Sequence, residues 1–201
     1  MDTMDLNTML HKDPVEVNPK AGQLLLAEPL MNDPVFGRSV IVILEQDSVG
    51  GHVGLCLNKG PICSLGDLCG GLDNTPDIPV YQGGPVDLER LFMLHKLGNR
   101  FSNALEIAPG LFIGAAEEEV MDYLLTHPDG AKNVRFFLGY SGWSAGQLTS
   151  EIMKNSWALN VHPDATELLA GAGDSYWRRE VGKLGPDYRS WLIVPENPSF
   201  N

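Results

Sequence analysis

Apolar positions come in short bursts along this chain rather than in long helical waves. Val40-Ile41-Val42-Ile43-Leu44 is apolar at five successive positions and β-branched at four of them. That pattern predicts a strand buried on both faces. Asp47–Gly51 reads as a turn and His52–Asn58 alternates as a returning strand, so the stretch predicts a hairpin with a bulged loop. Further strands are predicted over Ile78–Gln82, ended by Gly83-Gly84-Pro85, and over Leu91–Lys96. In the latter, Leu91, Met93 and His95 share one face and Phe92 and Leu94 the other. Leu111–Ala115, Val134–Leu138 and Trp157–Val161 are also strand-like, and Gln23–Ala27 is a brief apolar run closed by Glu28-Pro29.

Helical spacing is local. Ser64 and Asp67 stand at capping distance and open a short helix that runs through Cys69 to Gly70-Gly71. Glu117-Glu118-Glu119 suits the positive end of a helix whose apolar positions are Val120, Met121, Leu124 and Leu125, stopped at Pro128. Ser144 and Gln147 form a capping box for a helix to about Lys154, with Leu148 and Ile152 inward. Asp164–Ala170 and Ser175–Leu184 are helices, each followed by Gly. Residues 1–19 are polar without a sustained period and read as an arm, with a helical turn over Leu6–Leu10. The tail from Tyr188 reads as an extended packed segment. The irregular order of strands and helices favours one α+β domain over residues 20–201 rather than a doubly wound sheet.

Composition narrows the classes. The 201 residues are 43% apolar and 20% charged, with 22 Gly and 14 Pro, which excludes a coiled coil, a collagen-like chain and a disordered tail. Against 14 basic side chains stand 26 acidic ones, a net charge of −12. Such a chain is repelled by DNA phosphates and anionic membranes, and its only adjacent basic pair is Arg178-Arg179. No direct nucleic-acid binding and no membrane association are therefore expected; a protein partner that itself binds DNA is compatible with this charge. Cys56, Cys63 and Cys69 have neither zinc-ligand nor disulfide-framework spacing and read as small buried hydrophobes in a reducing compartment. The N-terminus lacks a signal-peptide pattern, and no apolar run nears the roughly 18 residues of a membrane helix. The expectation is a cytoplasmic protein without metal or cofactor.

Candidate chemistry sits at element ends. Gly139-Tyr140-Ser141-Gly142-Trp143 invites comparison with a nucleophile elbow, but Trp143 fills the position where the elbow needs Gly. The better reading is a structural turn whose following helix offers amide N–H groups, a possible anion site. Asn58-Lys59-Gly60-Pro61 is a turn whose amide and cation could hold a carboxylate or phosphate. Glu45 and His95 would be an acid–base pair if the strand order joined them. Arg38 is expected to pair with a carboxylate such as Glu45 or Asp33. Hairpin geometry puts Glu45 at the loop end and Asn58 at the other, with Arg38 within about 10 Å of Asn58.

Four ordered blocks then resemble the YqgE/AlgH family: LLLAEPLMNDPVFGRSVIVILEQ (Leu24–Gln46), HVGLCLNK (His52–Lys59), VYQGGPVDLERLFMLH (Val80–His95) and FLGYSGWSAGQLTSEIMKNSWAL (Phe137–Leu159). Three positions depart from the family pattern: Gln46 where a His is common, Lys59-Gly60 where Arg-Pro is common, and Ser141 where Ala is common. The resemblance implies a compact α+β domain around a large mixed, partly barrel-like β-sheet with flanking helices. It implies cytosolic bacterial proteins of undetermined activity, some labelled transcriptional regulators, with no established catalytic residues. The expected function is a regulatory protein that binds a small ligand or a protein partner. Its candidate binding residues are Arg38, Glu45, Asn58, Lys59, His95, Tyr140, Trp143 and Gln147. The alternative is an enzyme using Glu45 and His95.

Overall fold

The computed structural model describes residues 18–46, 49–69, 77–160 and 164–195. The predicted arm turn at Leu6–Leu10, the Gly70-Gly71 stop and Val161 lie outside them, as do Asp47 and Ser48 of the hairpin loop. The strands are β1 (Leu24–Ala27), β2 (Val40–Gln46), β3 (His52–Cys56), β4 (Pro61–Ser64), β5 (Pro79–Gln82), β6 (Val86–His95), β7 (Leu105–Ala108), β8 (Leu111–Ile113), β9 (Val134–Trp143) and β10 (Trp157–Asn160). The helices are α1 (Leu65–Leu68), α2 (Glu117–Thr126), α3 (Gln147–Met153), α4 (Ala165–Ala170), α5 (Gly173–Lys183) and α6 (Arg189–Ile193). None is long and apolar enough to cross a membrane.

The strands form one sheet in the order β10-β1-β2-β3-β9-β6-β8-β7, with β4 and β5 paired beside β9. Every pairing is antiparallel except β5 on β9. β9 carries the sheet. One of its edges takes β6 from Val134 to Tyr140; the other takes β5 over Phe136–Leu138 and then β3 over Ser141–Trp143. The sheet curls into a half-barrel, which brings its last strand, β7, back to the chain just before β1. There Gly22 has φ +81, and a Cβ on it would stand 2.1 Å from the Ile107 carbonyl oxygen.

The predicted doubly buried strand is present: Val40, Ile41, Val42, Ile43 and Leu44 are all buried. Alternate residues feed two cores. Val40, Val42 and Leu44 join Leu24, Leu26 and Leu55 under Trp177 of α5 and Trp191 of α6. Ile41 and Ile43 join Leu25, Trp143 and Trp157 under Leu148 of α3. A third core fills the space between β5, β6, β9 and α2, around Val80, Met93, Phe136, Val120 and Leu124. Leu125, one of the four apolar positions at helical spacing, is 54% exposed.

Four expectations are corrected. Gly139–Trp143 is the second half of β9 rather than a turn, because it still pairs with β3 and with Val86 of β6. α3 starts at Gln147, with Gly146 at φ +74 as its N-cap, so Ser144 lies outside the helix. The tail is helical over Arg189–Ile193, since Trp191 is buried and stacks nearly parallel on Trp177 at 6.5 Å. Of the three cysteines only Cys56 is buried; Cys63 and Cys69 are half-buried. Burial pushes the Cys56 thiol up to about 11.

Arg135 on β9 lies among these layers, only 4% exposed. It donates to the carbonyls of Leu168 and Gly171 at the end of α4 and lies over the Tyr81 ring at 4.0 Å. Burial lowers its pKa, but the carbonyl dipoles and the ring face compensate a cation for which no carboxylate partner is found among the described residues.

The closure at Gly22 yields a direct check. Gly22→Ala should cost about 2–4 kcal/mol, from the positive φ and the backbone clash together. Urea unfolding reads it; a loss below half a unit in that scale would mean β7 does not close on the β1 entry.

Candidate functional site

The eight candidate residues separate into four places. Arg38, Asn58 and Lys59 do meet, as hairpin geometry required. Asn58 Nδ2 donates to the carbonyls of Arg38 at 2.9 Å and Gly173 at 3.1 Å, and Asn58 Oδ1 accepts from the Val40 amide at 2.8 Å. These bonds hold Arg38 in the left-handed region at φ +50. The Arg38 guanidinium does not pair with Glu45 or Asp33. It reaches Asp174 at 2.9 Å and the Val194 carbonyl at 2.7 Å, and lies over Trp177 at 4.7 Å. Burial raises the pKa of Asp174, but hydrogen bonds from Arg38 and Arg178 outweigh it and hold the carboxyl below its usual range. Asp33 instead accepts from the Val35 and Phe36 amides. Lys59 Nζ donates to Gly37 O at 2.9 Å on the wall of a polar cavity of about 490 Å³. Arg38 and Asn58 thus spend most of their polar groups on joining the hairpin to α5.

Trp143 and Gln147 meet around a residue that sequence reasoning missed, Glu151. Trp143 and Trp157 each donate an indole N–H to its Oε2, at 2.9 and 2.8 Å, and Gln147 Nε2 donates to its Oε1 at 2.9 Å. The two indoles meet edge to face at 5.9 Å. The amide and hydroxyl of Ser144 both donate to Gln147 Oε1. Ser144 is thus spent on Gln147, whose own backbone amide donates back to the Ser144 carbonyl at 3.0 Å. Ser141 is fully buried and donates to the Gly83 carbonyl at 3.2 Å, a structural bond and not a nucleophile's setting. Glu151 falls one helical turn after Gln147; that spacing on an amphipathic helix was its only signal.

His95 is fully buried between Phe101 and Phe112. Its Nδ1 lies 3.3 Å from the Leu97 amide, which donates to it, so the proton is on Nε2, which faces the Gly114 carbonyl at 3.1 Å. Burial lowers its pKa, partly offset by the Gly114 bond. Glu45 is remote. It pairs with Val53, which faces Gly142 on β9, whereas His95 faces Val134. Eight residues of β9 separate the two rows, roughly 25 Å of strand. The acid–base pair does not assemble.

Glu45 and Tyr140 share a second cavity, of about 530 Å³, between the sheet and helices α1 and α2. Its floor is apolar, with Leu65, Met93, Val120 and Phe136, and its polar groups are Glu45, Tyr140, Arg90 and Glu117, with the Cys69 thiol alongside. Phe92 stands edge to face with Tyr140 at 6.1 Å, and the Arg90 guanidinium lies 4.8 Å from the Phe92 ring. Burial, then the Glu117 charge, hold the Cys69 thiol above its usual range. Among the described residues no three His, Cys, Asp or Glu side chains gather as a metal site would need. The Arg178-Arg179 pair presents no basic face: Arg178 is held by Asp174 at 2.6 Å, and Arg179 lies 3.7 Å from Glu167.

Comparison with known proteins agrees with this architecture. A family model described as AlgH-like matches residues 24–189. A "UPF0301 protein" of Parabacteroides distasonis is 39% identical over 188 residues, covering 92% of this chain and 93% of that one. One of Bacteroides thetaiotaomicron is 34% identical, with 92% and 93% covered. The solution structure of the AlgH protein from Pseudomonas aeruginosa has a TM-score of 0.66 at 26% identity, covering 90% of this chain and 98% of that one. A crystal structure from Corynebacterium diphtheriae reaches 0.70 at 22% identity, covering 90% and 95%, and is similar in fold.

Two measurements test these assignments. Glu151→Ala leaves two buried indole donors without an acceptor and should cost about 2–4 kcal/mol, while Glu151→Gln, which keeps one oxygen, should cost about half that. Equal losses in urea titrations would mean the indole bonds contribute nothing. For His95, a folded pKa below the unfolded value of about 6.5 means the unfolded chain binds more protons. Its stabilising contribution is full above that pH and is lost as pH falls through the folded value. The stability advantage of the native chain over His95→Gln should therefore shrink in acid; growth in acid would assign the imidazole a charged role instead.

Proposed function

The chain belongs to the AlgH-like family, and we propose that within it this protein is a cytoplasmic regulator that binds a small amphipathic ligand in the cavity between the sheet and α1 and α2. One observation carries the reading: the cavity of about 530 Å³ has an apolar floor and a few polar groups at its rim. Small-molecule sites have that construction, with volumes of about 300–1,000 Å³. Glu45 and Tyr140 are the two sequence candidates that face it; Arg90, Phe92 and Glu117 complete it. His95 contributes from behind by fixing Gly114, a lining residue. The 490 Å³ cavity is a weaker candidate, because Arg38 and Asn58 on its wall are already committed.

Regulation of transcription would then pass through a partner. The net charge is −12, and both adjacent arginines stand against carboxylates. α2 forms one wall of the cavity, so occupancy can alter its packing and present the change to a partner.

The test is a thermal-shift screen of amphipathic compounds against the native chain and Ala115→Phe, which places a ring in the cavity. A ligand at a hundred times its Kd stabilises the native state by about 2.7 kcal/mol. The expected result is a raised melting temperature that Ala115→Phe abolishes. Shifts that persist unchanged in that variant would place binding elsewhere.

A further inference from the structure

Resting on the cavity reading above, we infer that its ligand is an apolar organic cation, such as a quaternary ammonium or phosphonium ion. The argument is one of charge and ring geometry. Glu45 and Glu117 both line the cavity, and among the described residues neither has an ion pair or hydrogen-bond partner. The one basic lining residue, Arg90, has no carboxylate partner there either. The lining thus carries two carboxylates against one guanidinium, within a chain of net charge −12. An anion entering it meets repulsion from the rim and from the whole molecule, and a cation meets attraction from both.

The aromatic wall selects the same sign. Phe92 and Tyr140 line the cavity, and Arg90 lies over the Phe92 ring at 4.8 Å. A ring face attracts cations. Arg90 is exposed, and among the described residues the Phe92 ring is the contact its guanidinium makes, so it acts as an internal stand-in that a better-fitting cation displaces. Glu117 also lies close enough to Cys69, another lining residue, to help hold its thiol above the usual range. The apolar floor around Met93 and Phe136 then takes the cation's hydrocarbon substituents. A strongly hydrated cation such as a metal ion or free ammonium has no oxygen cage here to replace its water.

Two ions of matched size and opposite sign decide the matter: tetraphenylphosphonium and tetraphenylborate, measured by isothermal titration on the full chain, with the neutral dye Nile red as a third probe. The phosphonium should bind at least about tenfold tighter than the borate. Glu45→Gln with Glu117→Gln should weaken it roughly three- to tenfold, and Arg90→Ala should tighten it by a few fold, with the opposite changes for the borate. These positions are at the surface, and circular dichroism checks that the variants fold. Equal or tighter borate binding, or weaker phosphonium binding in Arg90→Ala, overturns the cation assignment and leaves the cavity reading standing. Nile red binding that Ala115→Phe abolishes, with no phosphonium binding, does the same. If none of the three probes binds, the cavity reading itself falls.

Discussion

Everything in this fold hangs on β9 serving three strands at once. A strand has two edges, and its N–H and C=O groups must be spent on them completely when the strand is buried. β9 gives one edge to β6 and divides the other between β5 and β3. The division requires the backbone to change hands at Gly139, which has φ +70. It also requires a close approach by the 83–84 segment, where a Cβ on Gly84 would stand 2.1 Å from the Tyr140 carbonyl carbon. The glycines that resemble a catalytic elbow in sequence therefore do topological work. They let one strand bridge the hairpin half of the sheet and the half that carries the cavity.

The strongest periodic signals were legible because they reflect local physics. Val40–Leu44 reads as a strand buried on both faces from its β-branched run, and Glu117–Pro128 announces both ends of α2. β4 and β7 were not legible. Pro61–Ser64 has no buried residue, and Leu105–Ala108 is an edge strand whose partner pairing, not its composition, makes it a strand. The tail was misread for a related reason. Its helix is decided by Trp191 finding Trp177, a contact invisible in local sequence.

The candidate residues divide along the same line. Arg38, Asn58, Trp143, Gln147 and His95 stand out in sequence as polar or aromatic groups at element ends, and the fold spends each on an internal bond, exposed only at Gln147. The carboxylates that receive three of them, Asp174 and Glu151, were missed for different reasons: Asp174 is 136 positions from Arg38, whereas Glu151 is only four from Gln147 but carries no mark beyond helical spacing. Glu45 and Tyr140 were legible and do face a cavity. Arg90, Phe92 and Glu117, which give that cavity its charge and its ring face, became recognisable only when the curl of the sheet brought β6 and α2 together.

The four tryptophans form two pairs on opposite sides of the same strands: Trp143 with Trp157 on one side, Trp177 with Trp191 on the other. β1 and β2 are a floor common to both rooms. A partial opening that lifts either strand wets both indole pairs together, so neither side can melt while its opposite stays dry. In hydrogen-exchange terms the hairpin and the helices on both faces make up a single foldon, and their slowest amides should exchange at one shared rate.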